Sequence, residues 1–216
     1  MRDVAASNES GAAALTLVRQ APNAVLGVAT AWCRAEARLY RRAGQRGVFD
    51  SVQRLSAAAW TAALSRQEKS QLTLGIYEAS PIYTALADEL FAIEEGVFEQ
   101  RLPKAPARVL VGGCGAGREA SVLAARGYQV HAFDPASAFV AESRRRLGEC
   151  VPVAQLSYEE LSALVLDNVG TPHGLARAQF DAVVLGCGSL SHVLDPREQR
   201  RLFRALDVLS PTGPLL

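Results

Sequence analysis

A chain of 216 residues with 49% hydrophobic and 21% charged residues has the balance of a globular protein and enough length to bury a sizeable core. Its formal net charge is +1, from 23 Lys and Arg against 22 Asp and Glu. That argues against a broad basic face for nucleic acid, because phosphate binding needs clustered, uncompensated cations. The longest mostly apolar stretch near the N-terminus, Ala24 to Cys33, is too short to cross a bilayer, and MRDVAASNES lacks the apolar run of a secretory signal. Cys33, Cys114, Cys150 and Cys187 are scattered and form no CxxC pair, so the expectation is a reduced, cytoplasmic protein with no zinc site and no membrane partner.

From Gly11 to about Leu102 the chain reads as helices only, with apolar residues recurring at three and four. The longest candidate runs from Asn23 to about Arg42 and is stopped by Gly44 and Gly47; a second spans Ser51 to about Leu64. Ser65 and Glu68 have the spacing of a capping box and start a third. Pro81 suits the first turn of a fourth that runs to about Gln100. Beyond RLPKAPA the pattern changes. Apolar strands at Arg108–Val111, Gln129–Phe133, Val151–Leu156 and Phe180–Gly186 alternate with helices at Arg118–Arg126, Ser137–Leu147, Tyr158–Val165 and Pro196–Leu209. Such alternation predicts a Rossmann-like, doubly wound parallel sheet over 103–216, preceded by an all-helical region over 1–102.

The segment VLVGGCGAGRE joins the first strand to its helix. Glycines at 113, 115 and 117 let the backbone turn tightly and approach a ligand, which the amides of the helix start then face. The second strand ends at Asp134, seventeen residues after Gly117, where a carboxylate can accept hydrogen bonds from both hydroxyls of a ribose. A glycine triplet alone is weak evidence. Here it follows a strand, opens a helix and precedes a strand-end acid, which is the context that gives such a motif meaning.

VLVGGCGAGRE, AFDP, FDAVVLGCGSLSHV and LDVLSPTGPLL, in that order, resemble the successive motifs of class I S-adenosylmethionine-dependent methyltransferases. The resemblance covers about 105–216. The spacing G-x-G-x-G fits that family better than the G-x-G-x-x-G of nicotinamide enzymes, which would need glycine at Arg118. It implies S-adenosylmethionine as cofactor, with Gly113, Cys114, Gly115 and Gly117 lining its methionine and ribose and Asp134 holding the ribose beside Pro135. It further implies that Gln155 and Leu156 flank the adenine and that Gly186 and Cys187 present carbonyls to the methionine amino group. Two positions depart from the pattern. Val111 stands where the family often has an acid, so a water-mediated contact to that amino group is lost or replaced. The sequence also ends at Leu216, in what looks like the opening of a fifth strand, so the expected sheet is C-terminally incomplete. Strand four then lies near an open apolar edge, which reads either as a fragment or as a sheet that a second chain completes.

Methyl transfer needs a base only where the nucleophile carries a proton of high pKa. His192, just beyond the fourth strand, is the candidate; a structural loop histidine is the commoner outcome for a single histidine. Tyr77 and Tyr83 flank Pro81 and either close on the substrate or cofactor or pack between helices with the hydroxyl at the surface. Arg118 meets either the methionine carboxylate or an acid at the surface. His131 and His173 read as structural and solvated, Trp32 and Trp60 as packed between helices, Cys187 as buried, and the Arg144–Arg146 run as a solvated helix face. The expected function is methyl transfer to a small molecule, with a homodimer through the helices or the sheet edge left open. The alternatives are a non-catalytic binding or interaction module on the same fold, and a nicotinamide-dependent oxidoreductase.

Overall fold

The protein is described from a computed structural model, which covers residues 27, 28, 31, 62–79, 89–169, 175, 179–186 and 188–216, with backbone only at 67, 76, 78 and 79. The chain divides into two compact units, Met1–Ala79 and Ser80–Leu216. In the first, Ser65 caps helix α1 (Arg66–Ala79). Its amide donates to the Glu68 carboxylate at 2.8 Å while its hydroxyl accepts from the Glu68 amide at 3.3 Å, the reciprocal box expected from the sequence. Residues 27, 28, 31, 62 and 63 are helical, within the expected spans 23–42 and 51–64; most of those spans lies outside the described residues.

The second unit begins its described part at Glu89. Here the expected helix from Pro81 to Gln100 is corrected in its described part: 89–91 are not helical, Phe91 is extended, and helix α2 covers Ala92–Arg101, while 81–88 lie outside the described residues. The break has two causes. The Glu94 carboxylate accepts the Phe91 amide at 2.8 Å, and the carbonyl of Glu89, which a continuous helix would use, accepts from Arg118 Nη1 at 3.2 Å. Phe98 carries α2 into the core of this unit, although the sequence pattern groups it with the N-terminal helices.

Four parallel strands follow in the order β3-β2-β1-β4. They are β1 (Arg108–Gly112), β2 (Gln129–Asp134), β3 (Val153–Gln155) and β4 (Ala182–Leu185). The connecting helices are α3 (Arg118–Ala125), α4 (Ser137–Leu147) and α5 (Tyr158–Leu166), with α6 (Pro196–Leu209) after β4. The central strand is apolar on both faces, with Val109, Leu110 and Val111 fully buried, as a parallel sheet covered on both sides requires. One core packs Val109, Val111, Ala120, Leu123 and Val140 on the α3 and α4 side; the other packs Leu110, Phe133, Tyr158, Leu161, Val183 and Leu202 on the α5 and α6 side.

Strand β3 is shorter than expected because a 3₁₀ turn, Gly148–Cys150, precedes it and Pro152 has no amide to offer the ladder. Past α6 the chain returns to the sheet: Leu215 bridges Val183 in parallel, and the Leu185 amide donates to the Leu216 carbonyl at 2.8 Å. A fifth strand therefore opens beside β4, as SPTGPLL suggested. Strand order reverses between β2-β1 and β4, so a ligand belongs at the carboxyl ends of β1 and its neighbours.

Candidate cofactor site

The loop from Gly112 to Gly117 leaves β1 and enters α3. Gly113, Gly115 and Gly117 all have positive φ, at 62°, 54° and 89°, a conformation that disfavours side chains. Their surroundings separate their duties. A Cβ at Gly115 would meet nothing within 4 Å, so this glycine faces open space. A Cβ at Gly117 would lie 2.9 Å from Ser143 Oγ and 3.2 Å from Leu147 Cδ1, so this glycine lets α3 pack on α4. A Cβ at Gly113 would lie 2.5 Å from Ser189 Cβ and 2.9 Å from the Tyr158 hydroxyl. Gly186 is needed for a close approach of the second loop, since its Cβ would fall 2.3 Å from the Gly113 carbonyl oxygen.

Asp134, at the end of β2, organises the loop. Its Oδ2 accepts the Gly115 amide at 2.9 Å and its Oδ1 accepts the Ala136 amide at 2.9 Å. The residue is only 6% exposed. Burial raises its pKa above the ordinary carboxylate value; the Ala136 and Gly115 amides and the charge of His192 oppose this without cancelling it. An ionised carboxyl has about four acceptor positions, and two amides use half of them. The remainder, next to the open side of Gly115, fits the paired hydroxyls of a ribose.

Helix α4 grips the same loop. The fully buried Ser143 donates its hydroxyl to the Gly115 carbonyl at 2.8 Å, and Arg146 Nη1 reaches the Ala116 carbonyl at 3.4 Å. Gly115 is thus held at both ends of its backbone, by Asp134 and by Ser143. The Cys114 thiol points inward, 3.6 Å from the Gly115 carbonyl, and burial together with the Asp134 charge pushes it up to about 12. It is no nucleophile. Only the backbone of Cys114 is therefore left to face a ligand.

On the adenine side expected from the sequence, Gln155 is exposed and its amide nitrogen donates to the Pro135 carbonyl at 3.3 Å. Leu156 is buried, with its amide donating to the Asp134 carbonyl at 3.1 Å. Beyond β4, the Gly186 amide donates to the Gly112 carbonyl at 2.7 Å and its carbonyl accepts the Ser189 amide at 2.9 Å. A 3₁₀ turn, Ser189–His192, then carries the exposed His192, whose charge Asp134 senses. Tyr77 lies on α1, in the first unit. Tyr83, Cys187 and His173 lie outside the described residues.

Arg118 is corrected. It meets acids, but in the interior rather than at the surface. Its guanidinium forms a two-pronged pair with Glu94 at 2.6 and 2.7 Å, a third contact with Glu119 at 2.6 Å, and stacks on the Phe91 ring with its central carbon 4.5 Å from the centroid. Burial works to raise the Glu94 pKa, but Arg118 and the Phe91 amide outweigh it and the carboxyl stays below its ordinary value. In the Arg144–Arg146 run, Arg144 and Arg145 are exposed, as a solvated face requires, with Arg144 also donating to the Val153 carbonyl at 2.7 Å and Arg145 pairing with Glu142 at 2.6 Å; Arg146 departs from that face, being half-buried and donating to the loop. His131 is structural, edge-on to Phe180 at 5.4 Å. Sequence reasoning gave no role to Ser143, Tyr158 or Ser189; only Ser189 stands in one of the segments that carry the resemblance, GCGSLSHV.

Residues 109–213 match the family described as Methyltransferase domain. This segment is a methyltransferase domain. Solved structures similar to the chain include the sugar N-methyltransferase KedS8 from Streptoalloteichus sp ATCC 53650, at 25% identity over 57% of this chain and 44% of that one, with a TM-score of 0.42. The CcbJ methyltransferase from Streptomyces caelestis is 21% identical over 63% of this chain and 54% of that one, with a TM-score of 0.49. CalS10, an amino pentose methyltransferase from Micromonospora echinaspora, is 18% identical over 72% and 51%, with a TM-score of 0.41. The chain thus spans about half the length of these proteins. No curated protein matches it. Among the described residues of the methyltransferase domain, no cluster of three or more His, Cys, Asp or Glu could hold a metal ion, and no helix is long and apolar enough to cross a membrane.

Proposed function

We propose that this chain binds S-adenosylmethionine on the Gly113–Gly117 loop and directs its methyl group to a small-molecule acceptor in the cytoplasm. The observation that carries the reading is the Gly115–Asp134 pairing beside an open glycine face, at the carboxyl end of the central strands of a methyltransferase domain. When bound, the cofactor supplies an already activated methyl group, so the protein's task is alignment. Asp134 accepts the ribose hydroxyls and Pro135 packs beside them. Gln155 and Leu156 flank the adenine. The backbone of Gly113, Cys114, Gly115 and Gly117 lines the rest of the cofactor, and Gly186 and Cys187 offer carbonyls to its amino group. His192 takes a proton from the acceptor where the acceptor must lose one. Tyr77 and Tyr83 are the residues proposed to bind the acceptor.

The near-zero net charge favours a small acceptor over nucleic acid. Methyl-labelled S-adenosylmethionine, incubated with the chain and a cell extract, tests this. Label in the low-molecular-weight fraction is the expected result. Label confined to RNA or protein overturns the acceptor class, and cofactor binding without transfer in the full-length protein turns the reading to a non-catalytic binding module.

A further inference from the structure

The Tyr158 side chain reaches from the end of β3, past the ends of β2 and β1, to the loop after β4. The residue opens α5, directly after β3. Its ring meets Phe133 of β2 edge-on at 5.6 Å, and its Cε1 lies 3.1 Å from where a Cβ of Gly112, the last residue of β1, would stand. Its hydroxyl ends 2.6 Å from Ser189 Oγ, in the loop after β4. The two glycines at the end of β1 make this passage possible. A side chain at 112 would strike the Phe133 and Tyr158 rings, and one at 113 would strike Ser189 and the Tyr158 hydroxyl.

In the loop after β4, Ser191 Oγ donates to Gly188 within the same turn, and Gln199 of α6 donates to the Val193 carbonyl at its far end. The start of the turn is fixed to the rest of the site by Tyr158 together with the Gly186 backbone. Ser189 begins the 3₁₀ turn and His192 ends it. A phenol kept protonated by burial, as Tyr158 is, holds such a bond at any working pH.

We infer that Tyr158 is a positioning residue: through its hydrogen bond to Ser189 it sets the loop after β4 against Gly113, and so fixes the floor of the cofactor cleft and the turn that presents His192. This deepens the methyltransferase reading and rests on it for the ligand. The experiment combines Tyr158→Phe, Ser189→Ala and the double variant, each measured for S-adenosylhomocysteine affinity and for amide exchange at Ser189, Ser191 and Val193 without ligand. Tyr158→Phe removes only one oxygen and leaves the buried ring in place. Each single variant should weaken binding about three- to tenfold, the scale of one hydrogen bond, and speed exchange in the turn. The double variant should lose no more than either single one, because both remove the same interaction. Losses that multiply, or unchanged exchange in Tyr158→Phe, overturn the proposal. If the unaltered chain fails to bind S-adenosylhomocysteine, the functional reading falls, while the exchange rates still decide whether Tyr158 holds the turn.

Discussion

The Gly115 amide donates to the Asp134 carboxylate across 2.9 Å, and this bond joins the two strand ends on which the cofactor site depends. Replacing Asp134 by alanine leaves the Gly115 and Ala136 amides without their acceptor and removes the acceptor proposed for the ribose. Affinity for S-adenosylhomocysteine should fall by about 1–3 kcal/mol. Isothermal calorimetry on Asp134→Ala measures this, and unchanged affinity would mean the ribose lies elsewhere.

Gly115 offers a separation of site from fold. A Cβ there meets no protein atom within 4 Å and would stand on the face proposed for the cofactor, while its φ of 54° adds about 1–2 kcal/mol of backbone strain. Gly115→Val should abolish detectable cofactor binding yet keep the circular dichroism of a folded chain. At Gly117 the order reverses, because its Cβ would strike Ser143 and Leu147. Gly117→Val should lower the melting temperature more than Gly115→Val does.

The glycine loop and Asp134 were legible in the sequence because strand, turn and helix follow one another within 27 residues, and each leaves a local mark. The four parallel strands were legible for the same reason: unbroken apolar runs such as Val109–Val111 have few other readings. What was not legible depends on partners far along the chain. The apolar pattern runs unbroken through Leu90 and Phe91, and the start of α2 is set by Arg118, 29 residues beyond Glu89. Ser143 and Ser189 are ordinary serines in sequence. They become part of the site only because α4 packs on Gly117 and the β4 loop returns to Gly113.

The buried Arg118 holds two acids. Replacing it with methionine keeps its bulk but leaves Glu94 and Glu119 facing each other with no cation between them. Loss of one partner from a buried ion pair costs about 3–5 kcal/mol. Chemical denaturation of Arg118→Met should show a loss of that order, and restoration in Arg118→Met with Glu94→Gln and Glu119→Gln would assign it to the stranded charges.

Cofactor binding should depend on pH through Asp134. Its folded pKa is raised by burial, so it takes up a proton at a higher pH than an ordinary aspartate. The protonated form makes a poorer acceptor for two hydroxyls and two amides. Affinity should therefore be full when the carboxyl is ionised and decline as pH falls through this raised value. For stability the sign is the opposite: the folded state binds this proton more tightly than the unfolded chain, so the Asp134 contribution is most favourable at low pH and is lost as pH rises through the folded value. Binding isotherms and melting curves from pH 4 to 8, compared with Asp134→Ala, test both signs.

On the proposed reading, the Gly113–Gly117 loop with Asp134 binds S-adenosylmethionine. The decisive measurement is calorimetric titration of the 216-residue chain with S-adenosylhomocysteine, with NADH as the control. Saturable binding of S-adenosylhomocysteine, weakened in Asp134→Ala and abolished in Gly115→Val, is expected, with no heat from NADH. Binding of NADH in its place, or S-adenosylhomocysteine binding untouched by both substitutions, would contradict it.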